Sequence, residues 1–260
     1  MTAQGMTLLS LQGVTRRFGG LVAVDAVDLK IVDGGVTAVI GPNGAGKTTL
    51  FNLITGFRTP DAGQIVFAGT DITGRPPEAI AAAGLVRTFQ LVQLFQNLSV
   101  LENVQVGCHL HTKGGVLSAL LRSRRTRQAE REIETRAREL LDFVGLDDSA
   151  AGMEASALAY GQQRLLEIAR SLAAQPRLLL LDEPAAGLSA DETKRLSATI
   201  RGIAQRGTTV LLIEHDMKLV MNTADHIAVL DFGRKIAEGP PAAVRENPAV
   251  IAAYLGVGHA

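Results

Sequence analysis

Cysteine is almost absent. Cys108 stands alone among 260 residues, which excludes an intrachain disulfide and fits a reducing compartment. An excess of charge is absent too. Lysine plus arginine number 26 and aspartate plus glutamate also 26, so no global basic field draws the chain to nucleic acid. No run reaches the roughly 18–20 continuous apolar residues needed to span a bilayer. The longest candidates, around Val36–Ile40 and Leu178–Leu181, have the length of buried strands. No cationic start followed by an apolar run and a small-residue cleavage site is visible, so no secretory leader is expected. Internal repeats and low-complexity tracts are also missing. The expectation is a chain soluble by itself, with any membrane crossing left to another polypeptide.

What is present suits a folded globule. Hydrophobic residues make up 47% and charged residues 20%, and a chain of this length buries about 70–75% of its unfolded surface without staples. The opening third reads as β-rich, with strands at Leu8–Val14, Val27–Ile31, Val36–Ile40 and Gln64–Phe67. One helix, Lys47–Ile54, follows a buried strand directly and closes at Gly56 and Pro60. After about Gln90 the character turns helical. Ser99 with Glu102 forms a capping box. Ile133, Ala137, Leu140, Leu141 and Val144 share one helical face that ends at Gly145. Between them, His109–Arg131 reads as a polar, basic, mobile helical insertion broken at Gly114-Gly115. A β/α rhythm then returns. Helices at Gln162–Ala174, Ala190–Gln205 and Met217–Asn222 alternate with strands at Leu178–Leu181, Thr208–Ile213 and His226–Leu230. That alternation predicts a mostly parallel sheet covered on both faces, the α/β class.

Gly41-Pro42-Asn43-Gly44-Ala45-Gly46-Lys47-Thr48 satisfies every fixed position of the P-loop pattern, between a buried strand and a helix. Glycines let successive backbone N–H groups turn inward to anionic oxygens, and the helix N-terminus adds partial positive charge. Lys47 is expected on the β- and γ-phosphates of ATP and Thr48 on Mg²⁺, with Thr49 completing the phosphate cradle. Leu178–Leu181 ends in Asp182-Glu183 at the strand edge where ligands gather in parallel sheets. Asp182 is therefore placed to hold Mg²⁺, directly or through water, and Glu183 to act as general base for the attacking water. Thr208–Ile213 ends in Glu214-His215-Asp216, which makes His215 a γ-phosphate contact. Cys108, His109 and His111 lack a fourth ligand or ligand-pair spacing for zinc and read as ordinary helix residues. Asp71-Ile72-Thr73-Gly74 looks like a GTPase element, but no base-reading N-K-x-D follows and that reading fails.

The order of P-loop, acidic strand end and His215 resembles the ATP-binding subunits of ABC transporters. Two further elements add to it: Leu158-Ala159-Tyr160-Gly161-Gln162-Gln163 resembles the L-S-G-G-Q signature, and Gln90 resembles the glutamine joining core to helical subdomain. The resemblance covers nearly the whole chain. It implies a P-loop NTPase (RecA-like) core with an N-terminal antiparallel β subdomain and an inserted α-helical subdomain. The expected segments are 7–90 for the β subdomain and first core part, and 91–157 for the helical subdomain. Residues 158–240 hold the signature and second core part, and 241–260 a helical tail. It also implies head-to-tail pairs, each ATP lying between one subunit's P-loop and the partner's Ala159, Tyr160, Gly161 and Gln162. Phe18 matches the adenine-stacking aromatic, and it also reads as a hydrophobic anchor. Gln90 matches the residue that meets Mg²⁺ and the attacking water near the docking site of a transmembrane partner, and it also reads as a surface glutamine.

Two positions depart from the family pattern. The signature serine is Ala159, which removes a hydrogen bond to a charged group worth about 1.5–3 kcal/mol. The aspartate usual after the acidic strand is Ser189, which forms a capping box with Glu192 and so starts a helix. Arg17-Phe18-Gly19-Gly20-Leu21, Arg87-Thr88-Phe89-Gln90, the basic insertion and the tail Asn247–Gly256 resemble the longer ATPase of bacterial branched-chain amino-acid importers. That resemblance implies a homodimer or a heterodimer with a second ATPase, permease subunits in the membrane and, indirectly, a periplasmic binding protein. It implies a peripheral place on the cytoplasmic face of the inner membrane. Import of urea or amides, and an ABC-type ATPase acting outside transport, remain as alternatives. Replacing Glu183 by Gln is expected to slow phosphate release by about 10²–10⁴-fold, the usual worth of a general base. ATP then stays trapped in a stable dimer, visible by gel filtration, and undiminished hydrolysis removes Glu183 from the base role.

Overall fold

The computed structural model describes residues 6–108 and 124–255. The basic insertion apart from its last residues, together with His109, His111, His259 and the end of the tail, lies outside them. The chain divides into two compact units, one of residues up to Arg87 and from Arg177 onward, the other of Thr88–Pro176.

The first unit carries two sheets. β1 (Thr7–Phe18), β2 (Leu21–Val32), β4 (Ala62–Phe67) and β5 (Thr70–Asp71) form an antiparallel sheet in the order β2-β1-β4-β5. β1 and β2 extend well beyond the segments expected from sequence. Gly13 and Ala26 adopt positive φ of 58° and 47°, and the pairing slips around them. Such bulges break the two-residue alternation that marks a strand in sequence. Side chains complete the repair: Asp28 accepts the Gly13 N–H at 2.7 Å and Thr15 Oγ1 accepts the Ala26 N–H at 3.0 Å.

The second sheet has the order β10-β9-β3-β8-β7-β6. β3 (Val36–Ile40), β7 (Leu178–Asp182) and β8 (Thr209–Ile213) are buried at every residue. Both faces are covered, so the three read as unbroken apolar runs rather than alternating ones. β6 (Leu85–Arg87), β7, β8, β3 and β9 (His226–Asp231) run parallel, and β10 (Arg234–Gly239) closes one edge antiparallel to β9. β6 escapes sequence reading because three residues show no period, and β10 because its exposed edge is polar. α1 (Lys47–Ile54) contributes Leu50, Phe51, Leu53 and Ile54 to one core cluster shared with β1, β2, β4 and the faces of β3, β7, β8 and β9. α2 (Pro77–Ala82) precedes β6 and was likewise too short to be expected.

The second unit is helical. α3 (Val100–Cys108), α4 (Arg124–Val144) and α5 (Tyr160–Ala173) pack on one another. The Ser99–Glu102 box forms as read, with reciprocal bonds of 2.8 and 3.1 Å, and Ala137, Leu140, Leu141 and Val144 turn inward. The packed unit and the expected segment 91–157 do not share their ends. The unit runs from Thr88 to Pro176 because α5, assigned from sequence to the second core part, packs on α3 and α4. α6 (Ala190–Gln205), α7 (Met217–Thr223), α8 (Pro241–Arg245) and α9 (Pro248–Leu255) belong to the first unit. Ser189 caps α6 with Glu192.

Gly107 sets the approach of α3 to α5, since a Cβ there meets the Arg170 carbonyl oxygen at 2.2 Å. Gly107→Ala is expected to cost about 1–3 kcal/mol through forced backbone shifts, read as a lower midpoint in urea denaturation. An unchanged midpoint removes that packing constraint.

Candidate functional site

Register decides where the chemistry gathers. Val39 of β3 pairs with Ile213 of β8, and Ile213 pairs with Asp182 of β7. The loops that follow therefore leave the sheet side by side: Gly41 onward from β3, Glu183 from β7, Glu214-His215 from β8.

The glycine loop has steric reasons for its glycines. Gly41 (φ 151°) offers a Cβ no room, with Leu230 O at 2.1 Å, and Gly46 (φ 97°) meets Ala23 O at 2.2 Å. Gly44, at φ 81°, faces open space, so backbone there is left bare for a ligand's approach. Gly46 is also the N-cap of α1. Lys47 is buried and donates from Nζ to the carbonyls of Gly41 at 2.7 Å and Pro42 at 2.9 Å. Burial pushes its ammonium below the usual lysine range, against the opposing pull of Glu183 and Asp182. A cavity of about 350 Å³ is lined by Asn43–Thr49 together with Phe18, Ala23, Glu183 and Phe232. The structure thus brings Phe18, the loop and Glu183 around one space. Phe18 lies at the end of β1 with the Arg16 guanidinium 5.0 Å from its ring centroid. Pro42 lines a neighbouring cavity of about 460 Å³ with Phe232 and the α9 residues Ala249, Ala252 and Ala253. Burial pushes the Tyr254 hydroxyl of α9 up, against a backbone hydrogen bond at Gly41, so the tail borders the loop.

Glu183 occupies the left-handed region at φ 46°, a conformation that costs a non-glycine residue on the order of 1 kcal/mol or more and concentrates at functional sites. Its N–H donates to Ile213 O at 2.9 Å. His215 Nδ1 lies 3.8 Å from Glu183 Oε2, so these two expected residues do meet. Glu214, which sequence reading passed over, ties the two loops together. Its carboxylate accepts from the N–H groups of Ala185 at 2.7 Å and His215 at 3.1 Å. The signal was there, since Glu214 ends an apolar strand just as Asp182 does.

Thr48 and Asp182 supply the hydroxyl and carboxylate oxygens that suit a hard cation such as Mg²⁺. No cluster of three or more His, Cys, Asp or Glu among the described residues could hold a metal alone. A cation bound jointly with substrate phosphates needs fewer protein ligands, so the donor set fits. Asp182 is buried and ion-paired with Arg87 at 2.6 Å.

Gln90 and the signature belong to the helical unit. Gln90 is exposed, and its carbonyl accepts from Arg164 Nη2 at 2.7 Å. Arg164 is fully buried, also donates to Phe89 O at 2.8 Å, and pairs with Glu167 at 2.9 Å. Glu167 in turn accepts the Gln93 N–H at 3.1 Å. This pair, one turn into the signature helix, fixes the backbone around Gln90 to α5. It too was missed, because an i,i+3 pair of opposite charges usually marks a solvated face. Ala159 is the N-cap of α5 and offers no side-chain cap; Gln162 accepts its N–H at 3.2 Å. Tyr160 is exposed and Gly161 buried in the first turn.

A strand, glycine loop and helix beside an acidic strand end define a P-loop nucleoside triphosphatase. Comparison with known proteins narrows the class. A family model described as "ABC transporter" matches residues 24–186, and one described as "Branched-chain amino acid ATP-binding cassette transporter" matches residues 234–260. The chain belongs to the ABC transporter family, as one of its ATP-binding cassettes, and is an ATPase. It is 49% identical over 250 residues to the high-affinity branched-chain amino acid transport ATP-binding protein BraF of Pseudomonas aeruginosa, covering 96% of this chain and 98% of that one. The corresponding LivG protein of Escherichia coli is 48% identical with the same coverage. Among solved structures, a nucleotide-free cassette from an ABC transporter superposes with a TM-score of 0.82 at 33% identity, covering 98% of this chain and 100% of that one. An ADP-bound cassette gives 0.83 at 34%, covering 96% and 99%.

Burial raises the Glu214 carboxyl above its ordinary value of 4.5, against the N–H groups of Ala185, Asp216 and His215 that favour the anion. A raised folded pKa contributes stability that is complete below the unfolded value and is lost as pH rises through the folded one. Melting temperature is therefore expected to decline from pH 5 upward more steeply in the wild type than in Glu214→Gln. Parallel profiles contradict it.

Proposed function

We propose that this chain is an ATP-hydrolysing subunit of an importer for branched-chain or related small amino acids. The observation that carries it is the near full-length identity to BraF and LivG, supported by the importer-specific match over the tail. No helix among the described residues is long and apolar enough to cross a membrane, so passage belongs to separate permease subunits. The chain is read as a peripheral subunit on the cytoplasmic face of the inner membrane, fed indirectly by a periplasmic binding protein.

In this reading Phe18 stacks on the adenine, and Gly41–Thr49 wrap the phosphates with backbone N–H groups. Lys47, already drawn among carbonyls at the loop, exchanges those partners for phosphate oxygens. Thr48 and Asp182 would hold Mg²⁺, which when bound neutralises phosphate charge. Glu183 takes a proton from the attacking water, and its left-handed backbone fixes the carboxylate at the end of β7. His215 contacts the γ-phosphate beside it. The signature residues Ala159, Tyr160, Gly161 and Gln162 complete the site of a second copy or a related ATPase in a head-to-tail pair. A solved dimeric cassette with ADP and phosphate, 25% identical with a TM-score of 0.75, supports pairing. Gln90, whose backbone is anchored to the signature helix by Arg164, passes the change on closure to the permease. Ala159 cannot offer the hydroxyl of the usual serine, so backbone N–H groups at the start of α5 carry that contact.

The test is purification from detergent-solubilised membranes followed by reconstitution in vesicles. Permease subunits are expected to copurify, and leucine, isoleucine or valine with binding protein to raise phosphate release. Recovery of soluble partners alone overturns the transport reading, and stimulation by urea or amides instead overturns the cargo.

A further inference from the structure

Arg87 has no role in the scheme above, yet it touches the aspartate on which that scheme depends. It is the last residue of β6, and its register partner on β7 is Leu180, two residues before Asp182. Its guanidinium is forked between two elements. Nη2 donates to Asp182 Oδ2 at 2.6 Å, while Nη1 donates to Asn52 Oδ1 at 2.7 Å and Thr55 Oγ1 at 3.2 Å, at the far end of α1. The cation also lies 5.6 Å from the centroid of the Phe51 ring. Both side chains of the ion pair are almost fully buried, at 6% and 5% exposure.

A guanidinium matches this task in a way an ammonium does not. Its planar donors bind two partners at once in fixed directions, and it keeps its charge when buried. The helix that begins with Lys47 and Thr48 is thereby bonded, near its other end, to the carboxylate of Asp182. Carboxylates that serve a cation are oriented by such outer partners, whose loss typically weakens metal affinity by 10–100-fold.

We propose that Arg87 is a positioning residue for the divalent cation: it holds one oxygen of Asp182, fixes that carboxylate relative to the P-loop helix, and so sets the Mg²⁺ affinity of the nucleotide site. The inference rests on the reading of Asp182 as a Mg²⁺ carboxylate. Arg87 acts through Asp182 and makes no contact with nucleotide. Because Gln90 follows three residues later, the same arginine anchors the chain just before the segment that meets the permease.

The experiment is equilibrium binding of β,γ-imido-ATP, which is not hydrolysed, to the full chain, with Mg²⁺ titrated from an EDTA-containing buffer. Arg87→Gln is expected to raise the Mg²⁺ concentration for half-maximal tightening by about 10–100-fold, with affinity in EDTA unchanged because the glycine loop is intact. Arg87→Lys, which keeps charge but not the fork, is expected to recover only part of the loss. Asn52→Ala, which removes the far anchor without leaving Asp182 unpaired, covers the case in which Arg87→Gln does not fold, and is expected to shift the midpoint several-fold in the same direction. The proposal is overturned by an unchanged Mg²⁺ midpoint in folded Arg87→Gln, or in Asn52→Ala should Arg87→Gln not fold. An equal loss with and without Mg²⁺, which marks a purely structural role, also overturns it, as does wild-type behaviour of Arg87→Lys. Asp182→Asn separates the two readings. If it too leaves the Mg²⁺ dependence intact, the assignment of Asp182 fails; if it abolishes that dependence while folded Arg87→Gln leaves the Mg²⁺ midpoint unchanged, only the role of Arg87 fails.

Discussion

The parallel backbone ladder of β3, β8 and β7 is the constraint on which the rest of the first unit depends. Its hydrogen bonds fix the row Val39–Ile213–Asp182, and the loops that follow the three strands leave at that same edge. A register slip would turn every side chain to the opposite face of the sheet. It would also carry Asp182 and Glu183 away from the glycine loop. Complete burial of all three strands makes such a slip costly, so the apolar core and the phosphate chemistry are specified by the same bonds.

Polar groups at that edge are buried deeply, which needs explaining because desolvation opposes it. A buried ion pair generally gains little net stability over an apolar replacement, whereas an unpaired buried charge is strongly destabilising. Here each buried charge has named partners. Asp182 is matched to Arg87, Lys47 to the carbonyls of its own loop, and Glu214 to the N–H groups of both acidic-loop and histidine-loop residues. Such bonds are directional where apolar packing is not. They fix where Asp182, Glu183 and His215 stand, which suits a reaction that depends on positioning and electrostatics more than on covalent chemistry.

The helical unit applies the same logic to the other motifs. Arg164 and Glu167, buried one turn into α5, hold the backbone from Phe89 to Gln93. The segment resembling the glutamine loop and the one resembling the signature are thus parts of a single packed body. Bonds from one helix to the other segment's backbone tie the two motifs together, although 69 residues separate Gln90 from Ala159 in the chain. Near the far end of the chain, α9 brings Tyr254 against Gly41, so the importer-type tail also borders the loop.

Much of this was legible in the chain itself. The P-loop, Asp182-Glu183 and His215 could be read because their chemistry is local: glycines at fixed spacing, acids directly after an apolar run, a helix directly after a strand. Buried strands and capping boxes announced themselves for the same reason. The long antiparallel strands were cut short by bulges at Gly13 and Ala26, and β6 and β10 carried too little pattern to be seen. Arg87, Arg164 and Glu214 looked like ordinary charged residues, since nothing in sequence names the distant groups they bind, Asp182, Phe89 and Ala185. Arg87 meets Asp182 across 95 positions and Arg164 meets Phe89 across 75. The sequence by itself determined where the glycine loop, the acidic strand end and the capping boxes fall, because backbone conformation and residue type decide that locally. Tertiary structure alone decided which buried charge holds which, because burial and proximity arise only when distant segments pack.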